Sequence, residues 1–92
     1  MKESGRRSVL FICTNNSARS QMAEGLLKHM YPSRFEAHSA GVKPTFVQPH
    51  AVEVMKELGI DISQRRSKSI EEYRDKDFDF VVTVCDRARQ TC

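Results

Sequence analysis

After a polar start the chain turns abruptly apolar, and Val9 to Cys13 forms a continuous run without alternation. Such a run predicts a strand over residues 8–13 that is buried on both faces, as in a parallel sheet. Apolar positions then recur at Met22, Ala23, Leu26, Leu27 and Met30, the spacing of one helix face. Ser17 is placed to cap that helix, and Tyr31-Pro32 ends it. Residues 35–40 alternate and predict a second strand, closed by Gly41 and followed by a loop to Gln48. Pro49 suits a first helical position, Ala51, Val54, Met55 and Leu58 share a face, and Gly59 supplies the stop. Residues 61–68 are polar and basic and read as a surface segment. Ser69-Ile-Glu-Glu72 has capping-box spacing and predicts a short helix ending near Asp75. Residues 78–84 predict a third strand, with Cys85 directly after it.

The order β-α-β-α-α-β predicts an α/β fold: a parallel sheet with right-handed crossovers in a three-layer α/β/α arrangement. Ligands of such sheets bind at the carboxyl ends of the strands. Cys13 and Cys85 both stand at strand carboxyl ends, so if strands one and three are neighbours the two thiols share a rim. Residues 1–7 read as a flexible tail and 8–92 as a single domain.

Composition narrows this only a little. The chain has 92 residues, room for one small domain, and 39% hydrophobic with 29% charged residues argues against disorder. The net charge of +3 is mild and comes partly from Lys2, Arg6 and Arg7. No basic stripe with interleaved aromatics exists, so nucleic acid is not an expected partner. The longest apolar run is far too short to span a bilayer, and no signal peptide is visible, so a cytoplasmic protein without a membrane partner is expected. Three cysteines without an export signal do not suggest a disulfide framework. They are either thiols with a chemical role or buried apolar residues.

The chemistry concentrates in Cys13-Thr14-Asn15-Asn16-Ser17-Ala18-Arg19-Ser20. A loop between a strand end and a helix start turns backbone N–H groups inward, with the helix dipole behind them, and so forms an anion cradle. A cysteine at its mouth is placed to act as a thiolate nucleophile. Arg19 offers a planar fork of donors to a tetrahedral oxyanion, and Ser20 can donate to the thiolate. The small residues let the backbone turn tightly, and Asn tolerates left-handed conformations. A buried Cys13 with a surface Arg19 is the plainer reading of the same pattern. Cys85 and Cys92 have too many residues between them for a zinc knuckle, and His29, His38 and His50 are scattered, so neither a metal nor a cofactor is expected. Met22, Met30 and Met55 read as core, and the charges of residues 71–77 as a solvated face.

The stretch "VLFICTNNSARSQMAEGLLKHM" resembles the start of the low-molecular-weight tyrosine phosphatase superfamily, and within it the thioredoxin-coupled arsenate reductases. The likeness continues through "HSAGVKP", "AVEVMKELGIDIS", "RSKSI" and "FDFVVTVCDRARQTC". It implies that Cys13 attacks arsenate, that the backbone from Thr14 through Asn15, Asn16, Ser17 and Ala18 to Arg19 holds the oxyanion, and that Ser20 stabilises the thiolate. It further implies that Cys85 attacks the Cys13 adduct, that Cys92 then takes over the disulfide, and that thioredoxin reduces the resulting pair. The family also carries, past the last cysteine, a strand, a loop whose Asp is the general acid, and a final helix. The chain is therefore expected to be a fragment of a longer enzyme, with apolar surface exposed that invites dimerisation. Asn16, Glu24 and Ser39 match a potassium site of some reductases, but Lys68 stands where an acid is usual, so no cation is expected. Two alternatives remain: a phosphatase hydrolysing phosphate monoesters with the same Cys13 and Arg19, and an oxyanion-binding or redox module without turnover.

Overall fold

The computed structural model describes residues 5–84. Its elements are β1 (Arg7–Cys13), α1 (Arg19–Met30), β2 (Phe35–Gly41), α2 (Pro49–Glu57), a 3-10 turn (Ile70–Tyr73) and β3 (Phe80–Thr83). The three strands are parallel in the spatial order β2-β1-β3, so the most continuously apolar strand is the central one. β1 begins opposite Phe35 at Arg7, one residue earlier than its pattern indicated, and ends with Cys13 opposite Gly41.

Side chains alternate along a strand, which separates the two faces of the sheet. Ser39 of β2 donates its hydroxyl to Glu24 of α1, so that face lies under α1. His38 points the other way. It packs edge-on against Tyr73 at 5.3 Å and Phe78 at 5.6 Å, which brings the 3-10 turn over the second face. This three-strand parallel α/β arrangement fits the predicted fold class. The hydrophobic core lies where Ala51 and Met55 of α2 meet Ile60 and Ile62, with Met22 and Leu26 of α1 packed against them. Gly59 adopts φ +78°, the left-handed geometry that ends α2.

Several expectations fail in detail. Met30 and Leu58, assigned to the apolar faces of their helices, are 58% and 55% exposed. The buried stripe of α1 is instead Ser20, Gln21, Glu24 and Gly25. It is polar because it faces the 14–18 loop, Ser39 and the backbone of Arg66, and it finds hydrogen bonds there. α1 starts at Arg19 with Ala18 as its N-cap, not Ser17, because the Ser17 carbonyl is bonded to Gln48 N. The capping box at Ser69 is half formed: Ser69 Oγ accepts from Glu71 N, while Glu72 turns outward to a two-pronged pair with Arg66 at 2.8 and 2.9 Å. β3 is shorter than predicted. Asp79 leaves the ladder to accept from Ser8 N at 2.7 Å, and its own N–H donates to Ser8 Oγ.

The segment 61–68 is not simply surface. Ile62 is fully buried, and Ser67 and Lys68 bond to the loop after β1. Among the described residues β3 pairs with β1 alone, and its Phe80, Val81 and Val82 are exposed. No described helix is long and apolar enough to cross a membrane.

Candidate active site

The loop between β1 and α1 lies at the carboxyl end of the central strand. Its carbonyl groups are all engaged from outside. Cys13 O, Thr14 O, Asn15 O and Ser17 O accept from the backbone N–H groups of Val42, Lys43, Thr45 and Gln48 at 3.3, 2.7, 3.2 and 2.8 Å. Asn16 O accepts from Ser67 Oγ at 2.7 Å, and Ala18 O from Met22 N at 2.8 Å. A peptide's carbonyl and N–H point in opposite directions across its plane. Carbonyls held outward therefore turn the N–H groups of residues 14–19 toward the inner side of the loop, the arrangement that favours an anion. α1 begins with no side-chain cap hydrogen bond, so no cap oxygen competes at its first turn.

Cys13 is buried and free, and two donors converge on its Sγ. Asn16 N–H points at it from 3.1 Å, and Ser20 Oγ lies 3.0 Å away. The direction of the second bond follows from the network behind it. Asn16 Oδ1 accepts from Lys68 N at 2.8 Å and Gln21 Nε2 at 2.9 Å, which fixes the amide orientation. Asn16 Nδ2 then donates to Ser20 Oγ at 2.7 Å, leaving the serine hydrogen for the sulfur. Both groups thus donate to the Cys13 sulfur. Asn16 itself has φ +52°, the left-handed conformation that its residue type tolerates.

Arg19 is the first residue of α1 and is exposed, while Ser20, Asn16 and Cys13 are buried. Thr14, Asn15, Ser17 and Ala18 are partly buried along the loop. Cys85 and Cys92 lie outside the described residues. Three residues of the network were not singled out in the sequence: Gln21, Ser67 and Gly41. Gln21 and Ser67 look like ordinary polar residues of a helix and a surface loop. Gly41 was read only as the end of a strand, yet a Cβ there would stand 2.8 Å from both Asn16 N and Thr14 O.

Beside this network Glu24 is almost fully buried and surrounded by cations: Lys28 at 2.8 Å, Arg65 at 3.1 Å and Lys68 at 3.8 Å. Burial alone would raise the Glu24 carboxyl, but the bonds from Lys28 and Ser39 and the charge of Lys68 hold it below the usual carboxylate range. Burial pushes the Lys68 ammonium below its ordinary value; Glu24 opposes that, and Arg65, Arg66 and Lys28 add to it.

The loop with C-x5-R spacing closes on a buried thiol at the carboxyl end of a parallel sheet, the place where ligands of such α/β folds bind. Residues 8–92 match the family described as low molecular weight phosphotyrosine protein phosphatase, and the chain belongs to that family. Among its relatives, the arsenate reductase of Staphylococcus aureus (strain Newman) is 44% identical over 95% of this chain and 66% of its own length. The arsenate reductase of Halalkalibacterium halodurans is 42% identical over 95% of this chain and 63% of its own. The chain thus spans just under two thirds of the length of these relatives. Among solved structures, an arsenate reductase in the phosphate binding state matches with TM-score 0.81 and 40% identity over 86% of this chain and 60% of its own. A thioredoxin-dependent arsenate reductase of Corynebacterium glutamicum gives 0.79 and 36% over 89% of this chain and 42% of its own. A low molecular weight protein tyrosine phosphatase from T. tengcongensis gives 0.72 and 43% over 84% of this chain and 57% of its own.

The residues around Glu24 do not fit a bound potassium ion. Three protein cations already surround its carboxylate, and Asn16 Oδ1 is taken by two N–H donors. Protection of Cys13 from alkylation by inorganic phosphate is therefore expected to be equal in potassium and sodium buffers. Tighter protection in potassium alone would contradict the assignment of Lys68 as the internal cation.

Proposed function

We propose that this chain reduces arsenate to arsenite by a thiol relay that starts at Cys13. The Cys13 thiolate attacks arsenic(V) and displaces one hydroxyl, which takes a proton from solvent and leaves as water, forming a thioester-like S–As bond. The inward N–H groups of residues 14–19 and the Arg19 guanidinium hold the remaining oxygens. The Cys85 thiolate then attacks Cys13 Sγ. The electron pair of the S–As bond leaves with arsenic, which departs as arsenite, and a Cys13–Cys85 disulfide remains. Cys92 attacks Cys85, frees the Cys13 thiolate and leaves a Cys85–Cys92 disulfide, which the dithiol of thioredoxin reduces. Arsenic gains two electrons, and thioredoxin supplies both. The reading needs no metal or other cofactor and places the reaction in the cytoplasm. It also allows a second copy to pair along the outer edge of β3.

The observation that carries this reading is the pair of donors on Cys13 Sγ, Asn16 N–H and Ser20 Oγ, in a loop whose carbonyls are all turned outward. The arsenate reductases at 42% and 44% identity support the choice of substrate. The thioredoxin-dependent structural neighbour supports the choice of reductant.

The likeness to the T. tengcongensis phosphatase favours a second reading, in which Cys13 and Arg19 hydrolyse phosphate monoesters without Cys92. A third is an oxyanion-binding or redox module without turnover. One assay separates the three: arsenate with thioredoxin and its reductase, for the wild type and Cys92→Ser. The relay requires multiple turnover in the wild type and one equivalent of arsenite from Cys92→Ser. Full multiple turnover by Cys92→Ser would overturn the relay. Phosphate-ester hydrolysis untouched by that change would select the phosphatase, and phosphate protection of Cys13 without any turnover the binding module.

A further inference from the structure

The outward carbonyls of residues 13–18 are held in two ways. Five are bonded by main-chain N–H groups, which any sequence would supply: those of Cys13, Thr14, Asn15, Ser17 and Ala18. The carbonyl of Asn16 is held by a side chain, the hydroxyl of Ser67 at 2.7 Å, reaching across from a segment 51 residues away. Gln21 Nε2 approaches the same oxygen only at 3.4 Å and is committed at 2.9 Å to Asn16 Oδ1 and to Arg66 O. Ser67 is thus the principal bond on the peptide that joins Asn16 to Ser17.

That peptide is the sensitive one. Asn16 is the one non-glycine residue with positive φ among the described residues. Its N–H is a donor to Cys13 Sγ, and its carbonyl faces directly away from the Ser17 N–H on the inner side of the loop. A left-handed residue is strained and relaxes by rotating its flanking peptides unless something holds them. Rotation here would withdraw the Ser17 N–H from the inner side; the Asn16 N–H, on the preceding peptide, is held separately through Asn15 O by Thr45 N.

We infer that Ser67 is a positioning residue of the site: by holding Asn16 O, its hydroxyl keeps the Ser17 N–H turned toward the oxyanion. The inference rests on reading the loop as an oxyanion cradle. It acts entirely through Asn16, and Ser67 touches neither the thiol nor the anion.

The test is Cys13 alkylation by iodoacetamide in the 92-residue chain, followed by mass spectrometry of the Cys13 peptide so that Cys85 and Cys92 do not interfere. Protection is titrated with inorganic phosphate. Ser67→Ala is expected to weaken phosphate protection by about 3- to 10-fold, the loss of one hydrogen bond, while the alkylation rate without phosphate stays unchanged. Ser67→Thr should retain wild-type behaviour, and the isosteric Ser67→Val should behave as Ser67→Ala. The control is Ser69→Ala, which removes a hydroxyl that caps only the 3-10 turn and should change neither readout. Wild-type protection in Ser67→Ala would overturn the inference. So would an equal loss in Ser69→Ala, or a Ser67→Thr indistinguishable from Ser67→Val; these last two would mark the effect as loosening of the segment. If phosphate fails to protect Cys13 even in the wild type, the cradle reading itself falls and takes this one with it.

Discussion

Gly41→Ala is expected to disable the site while leaving most of the chain folded. A Cβ at this position would lie 2.8 Å from Asn16 N, 2.8 Å from Thr14 O and 2.9 Å from Asn15 C. Ordinary contacts between such atoms begin near ~3.5 Å. All three neighbours are main chain, so no side-chain rotation can relieve the clash. Gly41 cannot withdraw easily either, because it is paired with Cys13 in the sheet and its N–H is bonded to Lys68 O at 2.8 Å. The loop must therefore move, and a displacement of this kind costs about 10²-fold in a reaction that depends on placement. Overpacking should also lower stability by about 1–3 kcal/mol. Phosphate protection of Cys13, arsenate turnover and a denaturant melt would read the three effects. Unchanged protection and turnover in Gly41→Ala would show that the close approach does not shape the loop.

Cys13→Ser should remove turnover altogether, to below about 10⁻³ of the wild type, and yet keep phosphate binding within a few-fold. The reason lies in what surrounds the sulfur. Its two hydrogen-bond partners are an N–H and a hydroxyl already committed as an acceptor. Such an environment contains no base to remove a proton, which a serine nucleophile would need. The serine variant would keep the inward N–H groups, since the bonds that hold the carbonyls do not involve the sulfur. Calorimetry with inorganic phosphate and the thioredoxin-coupled assay measure the two halves separately. Measurable arsenate reduction by Cys13→Ser would remove Cys13 from the role of nucleophile.

Much of this was visible in the chain itself, for identifiable reasons. β1 is apolar without alternation because it is central in a parallel sheet, and α2 carries Pro49 and Gly59 at its ends, so both elements are legible by eye. Cys13, Asn16 and Ser20 are legible as a cluster because they are close in sequence and sit between a strand and a helix. What sequence missed is what depends on distant partners. Gln21 reads as an ordinary polar residue of a helix until Asn16 and Arg66 are brought against it. Residues 61–68 read as surface because their contribution is made with one buried Ile62, one hydroxyl, three backbone groups and the cations of Arg65 and Lys68. β3 loses its first predicted residues because Asp79 finds Ser8, a pairing no local pattern announces. The apolar faces of the helices mislead at Met30 and Leu58, which continue the periodicity past the end of the packed region.

The Asn16–Ser67 and Asn16–Lys68 bonds span 51 and 52 residues, and the loop is held on its other side by residues 42–48. Long-range contacts of this kind form late, after the intervening chain has been laid down and collapsed. During synthesis the cysteine leaves the ribosome long before the residues that hold its loop in place. A nascent or unfolded chain therefore carries Cys13 without the arranged loop around it, and that geometry arrives together with the folded state.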